Sequence, residues 1–476
     1  MTSTAVTQAH APPLLRVWAQ RVLIAVPTLF FVGWSAFYLL TTVCAIINFA
    51  FRQPMFDQWR MYESFLGLPF PENLLQLENG HRPIVPNLFR IAEIQWFSAN
   101  QLVQISVGTA CALLTWFAFA ATAWRQRELP LPARAAGVLV ATIGVLWLAN
   151  ARMLLHGTES LDTYLLTLAV ACAALCTYRA HERRSFAYFA AATGACVVAM
   201  FCFGSGVASF PAIVLLAFAL RLPARWLLLP AIVLAVCLTA YLYVLPGSNG
   251  THGFGELHPL DSALAAVRWI SAPLVHAWLG HADPPLDTAM TGGMLRTDFG
   301  PTVVDSANWL QAASGIDWRT LATLFSAAAV LAFAIRFVLL LRAPRRVKRL
   351  HAFACAFCLF ALATAAVIGI GRLTYFEEHP DQLYADRYLV WPCLFWTGLA
   401  LLLLGDLARA RKAAIPFLLI ACALPLFALP MQQVSAMWSG LVFKMSQRVA
   451  ASARSGVFDA EIYPDGADAS RANVLD

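Results

Sequence analysis

The chain has 476 residues, of which 60% are hydrophobic and 12% charged, and its mean hydropathy is +0.66. This composition excludes an ordinary soluble globular protein. Its continuous apolar runs of about 20 residues exclude the short alternating strands of a membrane β-barrel. The net charge of +7 lies in short loops between these runs, without a basic stripe, so we expect no nucleic-acid partner. The sequence predicts an all-α polytopic transmembrane protein with membrane lipid as a partner.

Eleven apolar runs predict about eleven spans in a single transmembrane domain covering residues 1–476. The runs lie near residues 22–50, 101–123, 136–155, 161–178, 186–204, 206–220, 226–245, 318–341, 351–371, 388–405 and 413–431. A cytoplasmic N-terminus places every short basic loop on the same inner side, as the positive-inside rule requires. Arginine greatly outnumbers lysine and alanine is abundant, which suggests a GC-rich bacterial genome. We therefore expect a multi-pass protein of the bacterial inner (plasma) membrane.

Four regions then lie on the outer side, namely 51–100, 246–317, 372–387 and the C-terminal tail 432–476. Within the second region, residues 260–281 are nearly long enough to span. A crossing there would reverse the sides of all later loops, so we interpret this segment as an interfacial or re-entrant helix. Asp261 or Ser262 is expected to cap it, and Pro273 to kink it.

The first outer loop is the candidate active site, because ionisable groups gathered against a membrane are costly unless they are used. Asp57, in F-D-Q-W, could act as a general base or contact a divalent cation, and otherwise is a solvated loop acid. Trp59 could stack on a sugar or anchor the interface. Glu63 and Glu78 add further carboxylates to this loop.

The motif E-N-G-H-R-P at 78–83 predicts a turn at Asn79-Gly80 that aims the next two side chains. His81 could exchange protons near neutral pH, and Arg82 could grip a phosphate. The alternative is that both bind lipid headgroups. After Pro83 the pattern predicts an amphipathic interfacial helix, whose role can be purely structural. One face of this helix carries Asn87, Arg90 and Glu93. Another face carries Leu88, Ile91 and Ala92.

Two later outer groups complete the candidate residues. Arg152, His156, Glu159 and Asp162 cluster between spans three and four, although the two acids could simply begin span four, where they suit the helix dipole. In loop 372–387, Arg372 closes span nine and Asp386-Arg387-Tyr388 opens span ten. Outer arginines run against the positive-inside trend and need an anionic partner. That partner could be a lipid-linked phosphate, or the loop carboxylates Glu377, Glu378, Asp381 and Asp386.

An acid in the first outer loop, many spans and outward-facing arginines resemble the GT-C glycosyltransferases, which use sugars linked to polyprenyl phosphate. The motifs F-D-Q-W, N-G-H-R-P-I-V-P-N-L, G-R…D-R-Y-L and S-G-V-F-D…I-Y-P resemble a set of largely uncharacterised bacterial polytopic proteins associated with cell-envelope polysaccharide loci.

This resemblance implies that Asp57 acts as base or metal contact, which leaves a divalent cation open as a cofactor, and that Arg372 and Arg387 bind the donor phosphate. Many GT-C enzymes carry paired acids, whereas Gln58 follows the acid here. Glu63, Glu78 or Glu159 could supply the second carboxylate.

The expected function is transfer of a sugar from polyprenyl phosphate to an envelope glycan or lipid on the outer face. Asp57 and His81 are the expected catalytic residues. The expected substrate-binding residues are Trp59, Glu63, Glu78, Arg82, His156, Glu159, Arg372, Asp386, Arg387 and Tyr388.

Two other functions stay open. A transporter or flippase for a lipid-linked saccharide predicts charges within span centres and, in many folds, internal repeats. The runs are nearly free of charge, with Arg336 near an inner end where it can snorkel. A non-catalytic envelope assembly protein predicts that Asp57 and His81 are dispensable.

Overall fold

The computed structural model describes residues 13–52, 62, 65–78, 80–245, 258–277, 312–313, 315–342, 347–407 and 411–455. Within these ranges every regular element is a helix, and extended backbone pairs only in two isolated bridges, Phe51–His156 and Glu78–His81. The all-α prediction is therefore confirmed for the described part of the chain.

The α-helices are numbered here in chain order. They are α1 (Pro13–Phe49), α2 (Glu72–Leu75), α3 (Ile84–Phe97), α4 (Leu102–Trp124), α5 (Leu131–Leu146), α6 (Ala151–Leu155), α7 (Gly157–Arg183), α8 (Phe186–Met200), α9 (Ser209–Ala219), α10 (Ala224–Thr239), α11 (Pro259–Ile270), α12 (Ala272–His276), α13 (Trp318–Arg342), α14 (Arg349–Gly371), α15 (Leu373–Glu378), α16 (Val390–Leu407) and α17 (Arg411–Ser455). A π-helical turn, Ala240–Val244, extends α10.

Within the described residues, eight segments are long and apolar enough to cross a membrane, as in a multi-pass membrane protein. They are Arg21–Phe49, Leu102–Trp124, Leu131–Leu155, Gly157–Arg183, Ala224–Val244, Trp318–Arg342, Arg349–Gly371 and Phe417–Arg448. Three shorter apolar helices lie where the other predicted runs fall, at Phe186–Met200, Gly204–Ala219 and Val390–Asp406. A helix of 16 residues is about 24 Å long, less than the ~30 Å of hydrocarbon. The number of eleven crossings therefore stays a prediction.

The segments Leu131–Leu155, Gly157–Arg183 and Arg349–Gly371 form the centre of the bundle, because most of each apolar window is buried. The main contacts join α4 to α7, α7 to α8, α14 to α16 and α1 to α5. Peripheral helices such as α10 and α13 expose apolar side chains over most of their length. That surface suits contact with lipid.

The bundle has two chemically distinct ends. At one end, Lys348 is ion-paired with Glu128, and Arg349 lies close enough to Arg125 and Arg179 to interact with their charges. We call this the basic end. Three of the basic loops predicted to be cytoplasmic, those that carry Arg125, Arg179 and Arg349, thus converge. The opposite end, which carries Phe51, His81, His156 and Arg372, is called the site end. Which end faces the cytoplasm stays a prediction.

The segment predicted to be interfacial forms two short helices, α11 and α12, and neither is a candidate span. The twelve residues of α11 cover about 18 Å. The helix is broken at Ser271, just before Pro273, as predicted. The predicted cap was wrong: α11 begins at Pro259, with His258 before it and no side-chain capping bond. Asp261 lies in the first turn instead.

The last helix is longer than predicted. Its apolar run was expected to end near residue 431, but α17 continues to Ser455. The predicted outer tail therefore begins as helix, and residues 456–476 lie outside the described residues.

Candidate functional site

Helix α3 was predicted correctly in position, but its polar face is turned into the protein. Asn87, Arg90 and Glu93 are at most 1% exposed, whereas Leu88 is 51% and Trp96 74% exposed. An interfacial helix of the expected kind would keep its polar face in water. Here the apolar face is outermost, and the polar face builds an ionic cluster inside the protein.

Arg90 is the centre of this cluster and holds two carboxylates. Its Nη2 donates to both oxygens of Asp162 at 2.8 and 2.7 Å, and its Nη1 donates to both oxygens of Glu78 at 3.3 and 3.0 Å. Nη1 also donates to Asn87 Oδ1 at 2.6 Å. All of these side chains are nearly inaccessible to solvent. The guanidinium thus ties the loop before α3 to the start of α7.

Gln104, on the first turn of α4, extends the network. Its Nε2 donates to Glu93 Oε2 at 2.6 Å and to the Tyr62 hydroxyl at 3.3 Å, and its Oε1 accepts from Thr158 Oγ1 at 3.1 Å. Glu93 Oε1 accepts from the Val103 backbone N–H at 2.8 Å and so caps the start of α4. We call Glu78, Arg90, Glu93, Gln104 and Asp162 the Arg90 cluster.

The electrostatics of the Arg90 cluster follow from its burial. Burial raises the pKa of Glu78, against the opposing effect of Arg90. It likewise raises the pKa of Glu93, against the bonds from Gln104 and Val103. For Arg90, burial acts to lower the pKa, but Asp162 and Glu78 together raise it, so the guanidinium stays charged. Buried charges persist only when they are paired and hydrogen-bonded, and Arg90 meets both conditions with Glu78 and Asp162.

A second cluster lies where α1 ends. Arg152 binds Glu159 through Nε, at 3.0 and 2.8 Å, and through Nη2 at 2.7 Å, while its Nη1 lies 3.9 Å from Asp386 Oδ1. The ring of His156 meets that of Phe51 edge-on at 6.1 Å. We call Arg152, His156, Glu159 and Asp386 the Arg152 cluster. Its arginine and carboxylates remain partly open to solvent, unlike the Arg90 cluster.

Burial raises the pKa of Asp386; Arg152 opposes this effect and Glu159 adds to it. The prediction that Glu159 begins a span is confirmed in position, because α7 begins at Gly157. Its ion pair with Arg152 gives it a second role.

Arg372 and Arg387 flank Tyr388. Arg372 donates to the Tyr388 hydroxyl, and Arg387 Nη2 donates to the Tyr375 hydroxyl at 3.3 Å and to Gln382 Oε1 at 3.0 Å. Their guanidinium carbons lie 5.6 and 5.0 Å from the centre of the Tyr388 ring, within the range of cation–π attraction. We call Arg372, Tyr375, Arg387 and Tyr388 the Arg–Tyr group.

Neither arginine of the Arg–Tyr group forms an ion pair with a carboxylate whose side chain the structure describes, although the charge of Arg387 acts on both Glu159 and Asp386. Glu377 and Glu378 make no ion pair with them, and Asp386 lies nearer to Arg152. The side chain of Asp381 lies outside the described part. Arg387 Nε is buried and receives no hydrogen-bond acceptor. Arg387 therefore keeps one buried donor position without an acceptor, and its charge reaches the carboxylates of the Arg152 cluster.

Arg82 is buried, and its guanidinium donates to three backbone carbonyls. They belong to Leu75 at 2.8 Å, Tyr241 at 3.0 Å and Leu245 at 3.3 Å. The Tyr241 hydroxyl donates back to the Gly80 carbonyl at 3.0 Å. These bonds fasten the loop before α3 to the end of α10. They indicate a positioning role for Arg82 in the loop.

The turn predicted at Asn79-Gly80 is present in the described residues that flank it. The Glu78 and His81 backbones exchange two hydrogen bonds at 2.7 Å, and Gly80 has a φ of 77°, which glycine adopts without strain. The centre of the His81 ring lies 4.2 Å from that of Phe203, with the two rings tilted by 39°. A Cβ at Gly204 would lie 2.5 Å from His81 Nδ1, so this glycine makes room for the ring.

Burial and, to a smaller extent, the nearby charge of Arg372 together lower the pKa of His81 to about 4. His81 is therefore neutral at pH 7. A neutral imidazole can accept a hydrogen bond or a proton but adds no positive charge. The interaction with Arg372 also shows that the loop at 78–82 and the Arg–Tyr group lie close together.

Asp57, Trp59 and Glu63, three of the predicted site residues, lie outside the described residues. The described residues on either side of residues 53–61 are nevertheless informative. Phe51 contacts His156 of the Arg152 cluster, and the Tyr62 hydroxyl accepts from Gln104 of the Arg90 cluster. The chain around Asp57 thus begins and ends at the two ionic clusters.

Among the residues that the structure describes, no group of three or more His, Cys, Asp or Glu side chains is placed to hold a metal ion. No protein-family model matches the chain, and no curated protein matches it in sequence.

The site thus brings together residues that the sequence placed in three separate loops. Sequence reasoning missed the pairing of Arg90 with Asp162 and the roles of Glu93 and Gln104. The available signal was the spacing of three and six residues from Asn87 to Arg90 and Glu93, which places all three on one helical face.

Proposed function

We propose that the protein is an integral membrane glycosyltransferase of the GT-C type, acting on the outer face of a bacterial inner membrane. It moves a sugar from a polyprenyl-phosphate donor to an envelope glycan or lipid. The observation that supports this most is the pair Arg372 and Arg387, which donate to tyrosine hydroxyls and an amide but form no ion pair with a described carboxylate. A guanidinium binds phosphate through charge-assisted, geometrically matched hydrogen bonds. A lipid-linked phosphate at the site end would supply a direct anionic partner for both guanidinium groups.

In the proposed reaction, an acceptor hydroxyl oxygen bonds to the anomeric carbon of the donor sugar. The bond from that carbon to the phosphate oxygen breaks, and polyprenyl phosphate leaves with the electron pair. Asp57 takes the proton from the hydroxyl, a role carried over from the GT-C resemblance. Arg372 and Arg387 stabilise the charge that develops on the leaving phosphate. His81, which is neutral, is placed beside Arg372 as a hydrogen-bond acceptor.

The distribution of charge favours this one-sided site over a transport path. In the described spans, Asp, Glu, Lys, Arg and His lie near the helix ends, as Glu159 does at the site end. Arg336 and His351 both contact Asp406 near the basic end. A flippase needs polar groups along the route of its headgroup. The separation of these groups to the two ends therefore argues for surface chemistry.

Donor binding is the direct test. Purified protein in lipid nanodiscs is titrated with polyprenyl phosphate, using the wild type, Arg372→Gln, Arg387→Gln and the double variant. We expect about a tenfold weaker Kd for each single variant, or ~1.4 kcal/mol of binding free energy. Arg268→Gln, an exposed arginine also at the site end, is the matched control and should bind normally. Unchanged binding in the double variant would contradict the phosphate assignment.

Catalysis is tested by complementation in the source organism with Asp57→Asn, His81→Ala and Arg387→Ala. Envelope glycan composition and membrane abundance are measured together. We expect loss of one sugar modification at normal protein abundance. Full activity in Asp57→Asn would overturn the catalytic role and leave a transporter or an assembly protein as the better explanation.

A further inference from the structure

A cavity of about 740 Å³ lies at the site end, outside the groups described above. It is bounded by α11, by the first two turns of α13 and by the segment 373–384. This volume is typical of a small-molecule binding pocket. No residue of the Arg90 cluster, the Arg152 cluster or the Arg–Tyr group lines it.

The polar lining of this cavity carries both charges. Asp261 and Arg268 come from α11, and Glu377 comes from α15. None of these three side chains makes a hydrogen bond or ion pair with the described residues. Asp317 also lines the cavity, but its carboxylate accepts from the backbone N–H groups of Arg319 and Thr320 at 2.8 and 3.2 Å, so it caps α13. Three ionisable groups therefore remain available to a ligand.

The apolar lining continues onto the outer surface of the bundle. Leu264 of α11 and Leu324 of α13 both line the cavity and are 43% and 57% exposed. Helix α13 is one of the peripheral spans, and its exposed apolar side chains suit contact with lipid. The cavity is thus continuous with the lipid-facing surface between these two helices.

We propose that this cavity binds a glycolipid, meaning a saccharide headgroup attached to a hydrocarbon chain. Sugar hydroxyls can donate to the carboxylates of Asp261 and Glu377 and accept from the guanidinium of Arg268. Phe376 and Tyr384, which are only 6% and 4% exposed, form part of the wall of the cavity. The hydrocarbon chain lies between Leu264 and Leu324. A soluble glycan has no such chain and would leave this apolar surface uncovered.

This proposal rests on the proposed function and refines it, because it makes the acceptor a lipid that enters sideways from the bilayer. The cavity and the Arg–Tyr group share one wall, the short helix α15. Tyr375 of α15 binds Arg387, whereas the next two residues, Phe376 and Glu377, line the cavity. Acceptor and donor phosphate would be separated by about the 10 Å width of one helix.

The test uses two photoreactive probes in nanodiscs, a diazirine-bearing alkyl disaccharide and the same diazirine alkyl chain with a hydroxyl headgroup. We expect the disaccharide probe to label peptides of α11 and α13 at least fivefold more than the alcohol does. Leu324→Trp, which fills the cavity, should reduce this labelling at least fivefold. Leu331→Trp is the matched control, because it lies on the same helix, is 61% exposed and does not line the cavity.

Equal labelling by the two probes, or equal labelling of wild type and Leu324→Trp, would overturn the proposal. A paired variant, Arg268→Gln with Glu377→Gln, separates the headgroup contribution. It should weaken disaccharide labelling while leaving polyprenyl-phosphate binding unchanged. If phosphate binding survives in Arg372→Gln/Arg387→Gln while Leu324→Trp still blocks the disaccharide, the proposed function fails and the glycolipid site stands. If phosphate binding is lost in Arg372→Gln/Arg387→Gln while Leu324→Trp leaves disaccharide labelling unchanged, the glycolipid site alone is overturned.

Discussion

At the scale of single residues, Arg90 is the side chain on which the site end depends most. It is 1% exposed and paired with two carboxylates that come from different parts of the chain. Removing one member of a buried ion pair is far costlier than removing the pair, since the remaining charges lose both solvent and partner.

We therefore expect Arg90→Ala to lower the free energy of unfolding by about 3–5 kcal/mol. The measurement is denaturant unfolding in detergent micelles, followed by tryptophan fluorescence. Arg179→Ala is the control, because the pair of Arg179 with Glu182 is exposed and such pairs contribute about 0–1 kcal/mol. Adding Glu78→Gln and Asp162→Asn to Arg90→Ala should restore part of the loss. A loss below 1 kcal/mol would show that Arg90 is not an anchor.

The sequence predicted which residues share the polar face of α3 but not where that face points. Periodicity separates Asn87, Arg90 and Glu93 from Leu88, and it contains no information about the solvent on either side. In a soluble protein the apolar face would pack inward. Where lipid is the outer solvent the direction reverses, and the partners of the polar face, above all the distant Asp162 on α7, hold it inside the protein.

At the scale of helices, close approach depends on a few small residues. A Cβ at Gly108 would lie 2.3 Å from Ser160 Oγ and 2.8 Å from the Ser160 carbonyl carbon, so α4 and α7 are nearly in backbone contact there. Gly398 serves α14 and α16 in the same way, with the Ala354 carbonyl oxygen 2.7 Å from its Cβ position. Small residues at such crossings are typical of membrane helices.

Gly108→Ala should destabilise the protein by about 1–3 kcal/mol, because the methyl group must displace the backbone of α7. Gly194→Ala is the matched control, since Gly194 is also helical but has no atom within 4 Å of its Cβ position. That change should be neutral or stabilising by up to about 1 kcal/mol, from helix propensity alone. Thermal unfolding of both variants in the same detergent decides the matter. Equal melting temperatures would contradict the close approach.

Most helix positions were predictable, because apolar runs are long and their period is strong. The ends of the helices were less predictable than their positions. The cap expected at Asp261 was wrong since Pro259 begins α11 two residues earlier. Helix α17 runs past residue 431 because its polar residues beyond that point, such as Gln433 and Lys444, still favour a helix.

At the scale of the whole molecule, the bundle separates its ionisable groups by end. The sequence placed residues 78–82, 152–159 and 372–388 on one side, and the structure gathers them at the site end. It could not predict that Arg152 would meet Asp386. Contacts between spans far apart in sequence depend on helix packing order, which periodicity does not specify.

Reporter insertions test the predicted orientation of these ends. A fluorescent protein inserted after Arg184, at the basic end, should fluoresce because it folds in the cytoplasm. Alkaline phosphatase inserted after Glu378, at the site end, should be active because it folds outside. The controls exchange the two reporters between the sites. The fluorescent protein after Glu378 should not fluoresce, and the phosphatase after Arg184 should be inactive. Activity of the phosphatase at Arg184 would reverse the orientation and place the site on the cytoplasmic face.

Helix α7 carries Glu159 and Asp162 within one turn of each other, so the partly open and the fully buried cluster share one rigid element. Linkage makes the two clusters reciprocal. A ligand whose binding shifts α7 at Glu159 also changes the free energy of the Arg90–Asp162 pair. Stabilising that buried pair must then change the affinity for the ligand by the same factor. Substitutions of the buried residue Arg90 can therefore alter substrate affinity without any contact with the substrate.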